Sequence, residues 1–297
     1  MLGTLKDYPT KKLALRGLQD KLTAVNSTDY RPRPNITFRE FARKWEEKIL
    51  PQHKPSSQAA ARSVLRSWLV PYFGNLQLKD LNTEMIQTFI SQWTKAPKTL
   101  QNVIAVLRMT WMAARAWNYL PTNADPFFGL VLPEMVSEEQ RCFTIDEMRR
   151  IIEAADEPYC TFFWIASETG MRSGELIGLR LEDVDLVAGR VKVRQSVWRG
   201  HAQTTKTKRG VCTYVISPQL RARLAEFIDA TRREGVELVF ASETGTAWDD
   251  GNVRRKLYSI LNKLELPRAG MHAFRHGNHV VSQDEINLAS RLGEMLA

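Results

Sequence analysis

The chain has 297 residues and a formal net charge of +9. That length suits two domains of about 100–200 residues each, and the cationic surplus points to a polyanionic partner, either nucleic acid or an acidic membrane surface. No apolar run nears the roughly 20 residues of a membrane helix, no secretory signal opens the chain, and the scattered Cys142, Cys160 and Cys212 fit reduced thiols in a cytoplasm rather than a disulfide framework.

Residues 1–36 read as a basic N-terminal arm. Lys6, Lys11, Lys12, Arg16, Lys21, Arg31 and Arg33 outnumber Asp7, Asp20 and Asp29, and the prolines of "RPRPN" make an extended hinge. A helical domain is expected over 37–119. Thr37 and Glu40 have capping-box spacing, and Phe38, Phe41, Ala42, Trp45 and Ile49 recur at helical intervals. A second helix is expected over Ser57–Tyr72, with Leu65, Trp68 and Leu69 on one face. A third starts at a Thr83 cap and carries Ile86, Phe89, Ile90 and Trp93. A fourth runs from Pro97 to Tyr119 through Val103, Leu107, Trp111 and Ala114. The helical spacing of these aromatics favours a core over base-stacking platforms. Three prolines and a glycine in "LPTNADPFFGLVLPE" predict an interdomain linker over 120–142. A second cap, Thr144 with Glu147, opens another domain over 143–297. Helices dominate there too, interrupted by strand-like alternation in "RVKVRQS" (190–196) and "VCTYVIS" (211–217), with a long polar turn between them.

Three stretches carry chemistry. In "ETGMRSGELIGLRLEDVDL", Gly174 permits close backbone approach, while Leu176, Leu179 and Leu181 anchor the segment in a core. Arg172 then stands at a helix start. There it either aims a two-pronged guanidinium at a phosphate or simply pairs with Glu175 three residues on, and Asp183 or Asp185 is a candidate orienting acid. The segment 190–210 holds Arg190, Lys192, Arg194, Arg199, Lys206, Lys208 and Arg209 and no acid, as a hairpin that contacts phosphates would. In "MHAFRHG", His272 and Arg275 share one helix face while Ala273 and Phe274 turn to the core. Cations converging on a phosphoryl group are the main device of phosphoryl transfer, and a hairpin lysine adds a general acid for the leaving alkoxide. His272 and His276 also have the i,i+4 spacing of a zinc pair, but no third ligand follows at motif spacing.

Together, from about Thr37 to Gly293, these motifs resemble the tyrosine recombinases, the family of phage integrases and chromosome-dimer resolvases. The resemblance implies a mainly α fold, with an N-terminal helical, SAM-like core-binding domain and a mixed but mostly helical catalytic domain that carries a small β-hairpin sheet. It implies catalytic roles for Arg172, Lys206, His272 and Arg275, a supporting acid at Glu175, and DNA contacts from Arg194, Arg199, Lys208 and Arg209. In the family, a tyrosine attacks a phosphodiester and leaves a 3′-phosphotyrosine and a free 5′-hydroxyl, which the second strand's hydroxyl resolves. No metal or cofactor is implied. The implied partners are double-stranded DNA and further recombinase subunits, a tetramer on DNA, and the implied setting is a mobile element in a bacterial or phage-derived cytoplasm.

The sequence departs from that pattern after Arg275. "RLGEM" resembles the family's leucine-glycine-histidine box, but Glu294 occupies the histidine position, and Tyr258 is the last tyrosine. A carboxylate there repels phosphate. The expectation is therefore an incomplete, C-terminally truncated or degenerate member that binds DNA without cleaving it alone. The alternatives are a DNA-binding regulator that occupies recombination sites and a metal-dependent nuclease built on His272, His276 and His279.

Overall fold

A computed structural model describes residues 9–25, 34–135, 140–204 and 212–284. The chain divides into two compact units, Met1–Met135 and Val136–Ala297.

In the first unit, α1 (Lys11–Val25) falls within the segment expected as a basic arm, with Leu13, Leu15 and Leu22 exposed along it. The bundle begins at α2 (Phe38–Lys48), where the capping box forms as expected: Thr37 Oγ1 accepts from Glu40 N, and Glu40 accepts from Thr37 N at 2.9 Å. Next, α3 (Pro55–Val64) runs into a π turn over Leu65–Leu69 and then α4 (Val70–Phe73). Pro71 explains the widened turn, because it has no N–H for the carbonyl four residues back and its ring crowds that carbonyl. The third helix, α5 (Thr83–Ser91), is capped by Asn82 rather than Thr83: Asn82 Oδ1 accepts from Met85 N at 3.0 Å. The long α6 (Pro97–Ala116) completes the bundle. Phe38, Phe41, Trp45, Leu69, Phe73, Ile86, Val103 and Leu107 fill the core, so these aromatics are interior, while Trp68 and Trp93 pack together at its edge, 4.6 Å apart.

The proline-rich stretch expected as a linker is a correction. Leu120 and Phe127 are buried in the first unit's core, Trp111 Nε1 donates to Ala124 O at 3.1 Å, and the Gln87 amide clasps the Val131 backbone in both directions. Prolines stop the helix there, but the apolar side chains between them still find a core to enter.

The second unit opens with α7 (Ile145–Glu153), capped by Thr144 with Glu147 as expected, and α8 (Tyr159–Thr169). The short α9 (Ser173–Ile177) leads to β1 (Val184–Asp185) and β2 (Arg190–Val193). Then come β3 (Gln195–Trp198), β4 (His201–Thr204), β5 (Cys212–Val215), α10 (Pro218–Thr231), α11 (Asp250–Lys263) and α12 (His272–Asp284). The sheets are antiparallel, in the orders β1-β2-β5 and β3-β4. The strand expected over 190–196 therefore ends at Val193, and part of the expected polar turn is a second hairpin. Its two-residue turn, Arg199–Gly200, has φ of 47° and 77°, the twist that a tight hairpin needs. Phe143, Met148, Phe162, Phe163, Leu176, Val191, Leu220, Phe240, Leu257 and Phe274 are among the core residues.

Candidate phosphate-binding site

The site is built at the end of α8. That helix stops at Gly170, whose φ of 60° is the left-handed conformation a C-terminal cap requires and glycine adopts freely. Met171 drops into the core, and Arg172 follows in extended conformation as the N-cap of α9. Glu175 does two things at once. Its carboxylate accepts from Arg172 N at 2.9 Å, closing the cap, and from Arg172 Nη1 at 2.8 Å. The Glu175 side chain is 7% exposed and that of Arg172 48% exposed. The ion pair therefore forms without burying the guanidinium: the acid is sunk in the protein and holds an arginine that still faces solvent. Gly174 makes this possible, because a Cβ there would lie 2.7 Å from Ser196 Oγ and 2.8 Å from Val197 O on β3.

The other half comes from the first turn of α12. Ala273 and Phe274 are buried as expected, with Phe274 stacked on Phe163 and edge-on to Phe143. That packing turns Arg275 back toward α8, where its Nη1 donates to Gly170 O at 2.8 Å, two residues before Arg172. Asn278 Nδ2 donates to the carbonyls of Ser167 and Glu168, both at 3.0 Å, so α12 satisfies the open C-terminal end of α8. Burial pushes the pKa of His272 below the ordinary imidazole value; the charges of His276, Arg172 and Arg275 push the same way, and Asp250 opposes them. Arg172, His272 and Arg275 thus converge around the turn at Gly170.

The rings of His272 and His276 stand 6.3 Å apart, and among the described residues no group of three His, Cys, Asp or Glu is arranged to hold a metal.

One neighbour escaped the sequence reading. Tyr214 is half-buried on β5 and packs against the core, and Arg275 is among the charged groups that act on its hydroxyl. Burial raises its pKa, Cys212 and Glu175 add to the rise, and Arg275 opposes it. The inward alternation of "CTYV" was the available signal, but nothing in it marked the partner.

The acids proposed to orient Arg172 do other work. Asp183 is buried and pairs with Arg194 Nε at 2.6 Å, while Asp185 accepts from Val187 N and Ala188 N in its own turn. Arg194 is thereby held beside Asp183 and Glu182, and Arg199 lies at the hairpin tip, over the Trp198 ring. Lys206, Lys208, Arg209 and Glu294 lie outside the described residues.

Two family models match this chain: the phage integrase family over residues 141–279 and the phage integrase N-terminal SAM-like domain over 37–94. The chain belongs to the phage integrase, or tyrosine recombinase, family. The chain is 26% identical over 279 residues to a putative prophage phiRv2 integrase of Mycobacterium tuberculosis, an alignment covering 89% of the chain and 73% of the relative. It is 25% identical over 229 residues to a XerC-like tyrosine recombinase of Caldanaerobacter subterraneus, covering 67% and 59%. Its fold matches the Tn1549 transposon integrase in complex with circular intermediate DNA, with a TM-score of 0.69 at 16% identity over 88% of this chain and 91% of that one. It also matches a lambda integrase tetramer bound to a Holliday junction, with a TM-score of 0.64 at 16% identity over 97% and 87%. The chain therefore has the mainly α architecture expected of it, a SAM-like domain followed by a domain of the phage integrase family with small antiparallel sheets. Among the described residues no helix is long and apolar enough to cross a membrane.

Proposed function

We propose that this chain is a site-specific DNA recombinase that binds double-stranded DNA and grips one phosphodiester between Arg172, His272 and Arg275, with Lys206 of the basic hairpin as the general acid. The observation that carries the reading is the turn at Gly170. Its carbonyl fixes Arg275, and two residues on, Arg172 is capped and paired by the buried Glu175. Two guanidiniums held this way are preorganised for an anion, so little side-chain entropy is lost when phosphate arrives. The lowered pKa of His272, set first by burial, favours its neutral form before a phosphate arrives. Dimers and tetramers of lambda integrase on DNA support assembly with further subunits.

A more specific reading concerns the polypeptide of these 297 residues. Its last tyrosine, Tyr258, precedes the His272–Arg275 box, and Glu294 stands where the family pattern has a histidine. We infer, as a second reading carried by the carboxylate at Glu294, which repels phosphate, that these residues occupy recombination sites on DNA without cutting the strand. Fluorescence anisotropy with a labelled duplex tests the clamp. Arg172→Ala should weaken binding about tenfold, the worth of a charge-assisted phosphate contact, and Arg275→Lys should weaken it less. Unchanged affinity in Arg172→Ala overturns the clamp. A nicked suicide duplex tests the chemistry: no covalent adduct is expected, and a denaturation-resistant protein–DNA band would overturn the non-cutting reading.

A further inference from the structure

Ser173, the residue after Arg172 and the first of α9, donates its hydroxyl to Asp250 Oδ1 on the first turn of α11. The neighbouring Asp249 is committed elsewhere, as the N-cap of α11. Asp250 is thus tied to the start of the helix that presents Arg172, from an element 77 residues away in sequence. The groups whose charges act on His272 are His276 from its own helix, Arg172 from the α8–α9 turn, Arg275 again from α12, and Asp250 from α11. Asp250 is the acid in that set.

We propose that Asp250 is a positioning residue of the site: through Ser173 it fixes the start of α9 beside Arg172, and its carboxylate balances the cations around the His272 imidazole. This rests on the phosphate-clamp reading above and names the group that tunes it. Two guanidiniums and a second imidazole around His272 favour its neutral form. A carboxylate held at the rim by a serine hydroxyl offsets them, and a bound phosphate adds a second negative charge. The imidazole then gains a proton as the phosphate arrives, and it donates a charge-assisted hydrogen bond instead of a neutral one. Asp250 itself is exposed, so its removal leaves the core packing intact.

The test is the His272 titration in the full chain, labelled with 15N-histidine and followed by NMR. Five histidines are present, and His272→Gln assigns the resonance. In Asp250→Asn the His272 midpoint should move to lower pH. Ser173→Ala, which keeps the charge but frees the carboxylate, should move it the same way by less. Asp249→Asn, which removes an equal charge one residue away, should leave it in place. An unmoved midpoint in Asp250→Asn, or an equal movement in Asp249→Asn, overturns the proposal. The clamp itself is judged separately: if Arg172→Ala binds the duplex like the parent while Asp250→Asn still shifts His272, the positioning role stands and the clamp falls.

Discussion

At the scale of single residues, one buried acid with a definite pH signature lies outside the proposed clamp. Glu168 ends α8 inside the core and accepts from Trp164 Nε1 at 2.8 Å, Ser217 Oγ at 2.7 Å and Ser217 N at 2.9 Å. It thereby joins the helix that delivers Arg172 to the start of α10. Burial raises its pKa above the ordinary carboxylate value, against the pull of those three donors. A carboxyl that is raised on folding binds protons more readily in the native state than in the unfolded chain. Its stabilising contribution is therefore complete below the unfolded pKa and is lost as pH climbs through the raised folded value. Glu168→Gln should flatten that pH dependence. It should also lower stability by about 1–3 kcal/mol at neutral pH, because an amide N–H replaces one acceptor opposite Ser217 N. Melting temperature against pH for both proteins checks this; parallel curves would show that Glu168 does not titrate in the window. The sequence held a signal for this residue, an acid within the apolar run from Thr161 to Thr169, but none for its partners, which are 4 and 49 positions distant.

At the scale of elements, the site depends on α9 lying directly on β3. Gly174→Ala would put a Cβ against Ser196 Oγ and the Val197 carbonyl, and one of those contacts is backbone that cannot swing away. The expected cost is about 1–3 kcal/mol, as for other overpacked contacts, with a parallel loss of duplex affinity because Arg172 moves with the helix. Denaturant unfolding and anisotropy measure the two, and full stability in Gly174→Ala would show that the helix has room to shift. Much of this element was legible beforehand. The close approach at Gly174, the Thr37 and Thr144 caps and the inward turn of Phe274 all follow from local pattern. What local pattern does not encode is long-range pairing. Asp183 and Asp185 both follow Arg172 within a short stretch of sequence, and only the fold assigns the first to Arg194 and the second to its own turn. The strand expected over 190–196 failed for a related reason: alternation continues through Arg194, yet its pairing with Asp183 falls where the strand leaves one sheet for the other. The segment 120–134 was misread because prolines announce a break in helix and say nothing about whether the apolar residues between them stay packed.

At the scale of the whole molecule, the net charge of +9 is useful only where it is free to meet phosphate. Each cation that neutralises a phosphate releases a condensed counterion, and the logarithm of affinity then falls with the logarithm of salt by about 0.9 per contact. Arg194 and Arg199 should behave differently under that rule. Arg199 is exposed at the tip of the β3–β4 turn and leans on Trp198. Arg194 is already engaged by the buried Asp183 at 2.6 Å. Arg199→Ala should therefore reduce the salt slope by about one unit and leave stability almost unchanged. Arg194→Ala should change the slope less but lower stability by about 1–3 kcal/mol, because it strands a buried carboxylate whose pKa burial already raises. Binding isotherms over a range of salt concentrations, paired with thermal unfolding of each variant, separate the two effects. If Arg199→Ala keeps the parent slope, the hairpin tip does not touch DNA, and the cationic surplus must act from elsewhere on the chain.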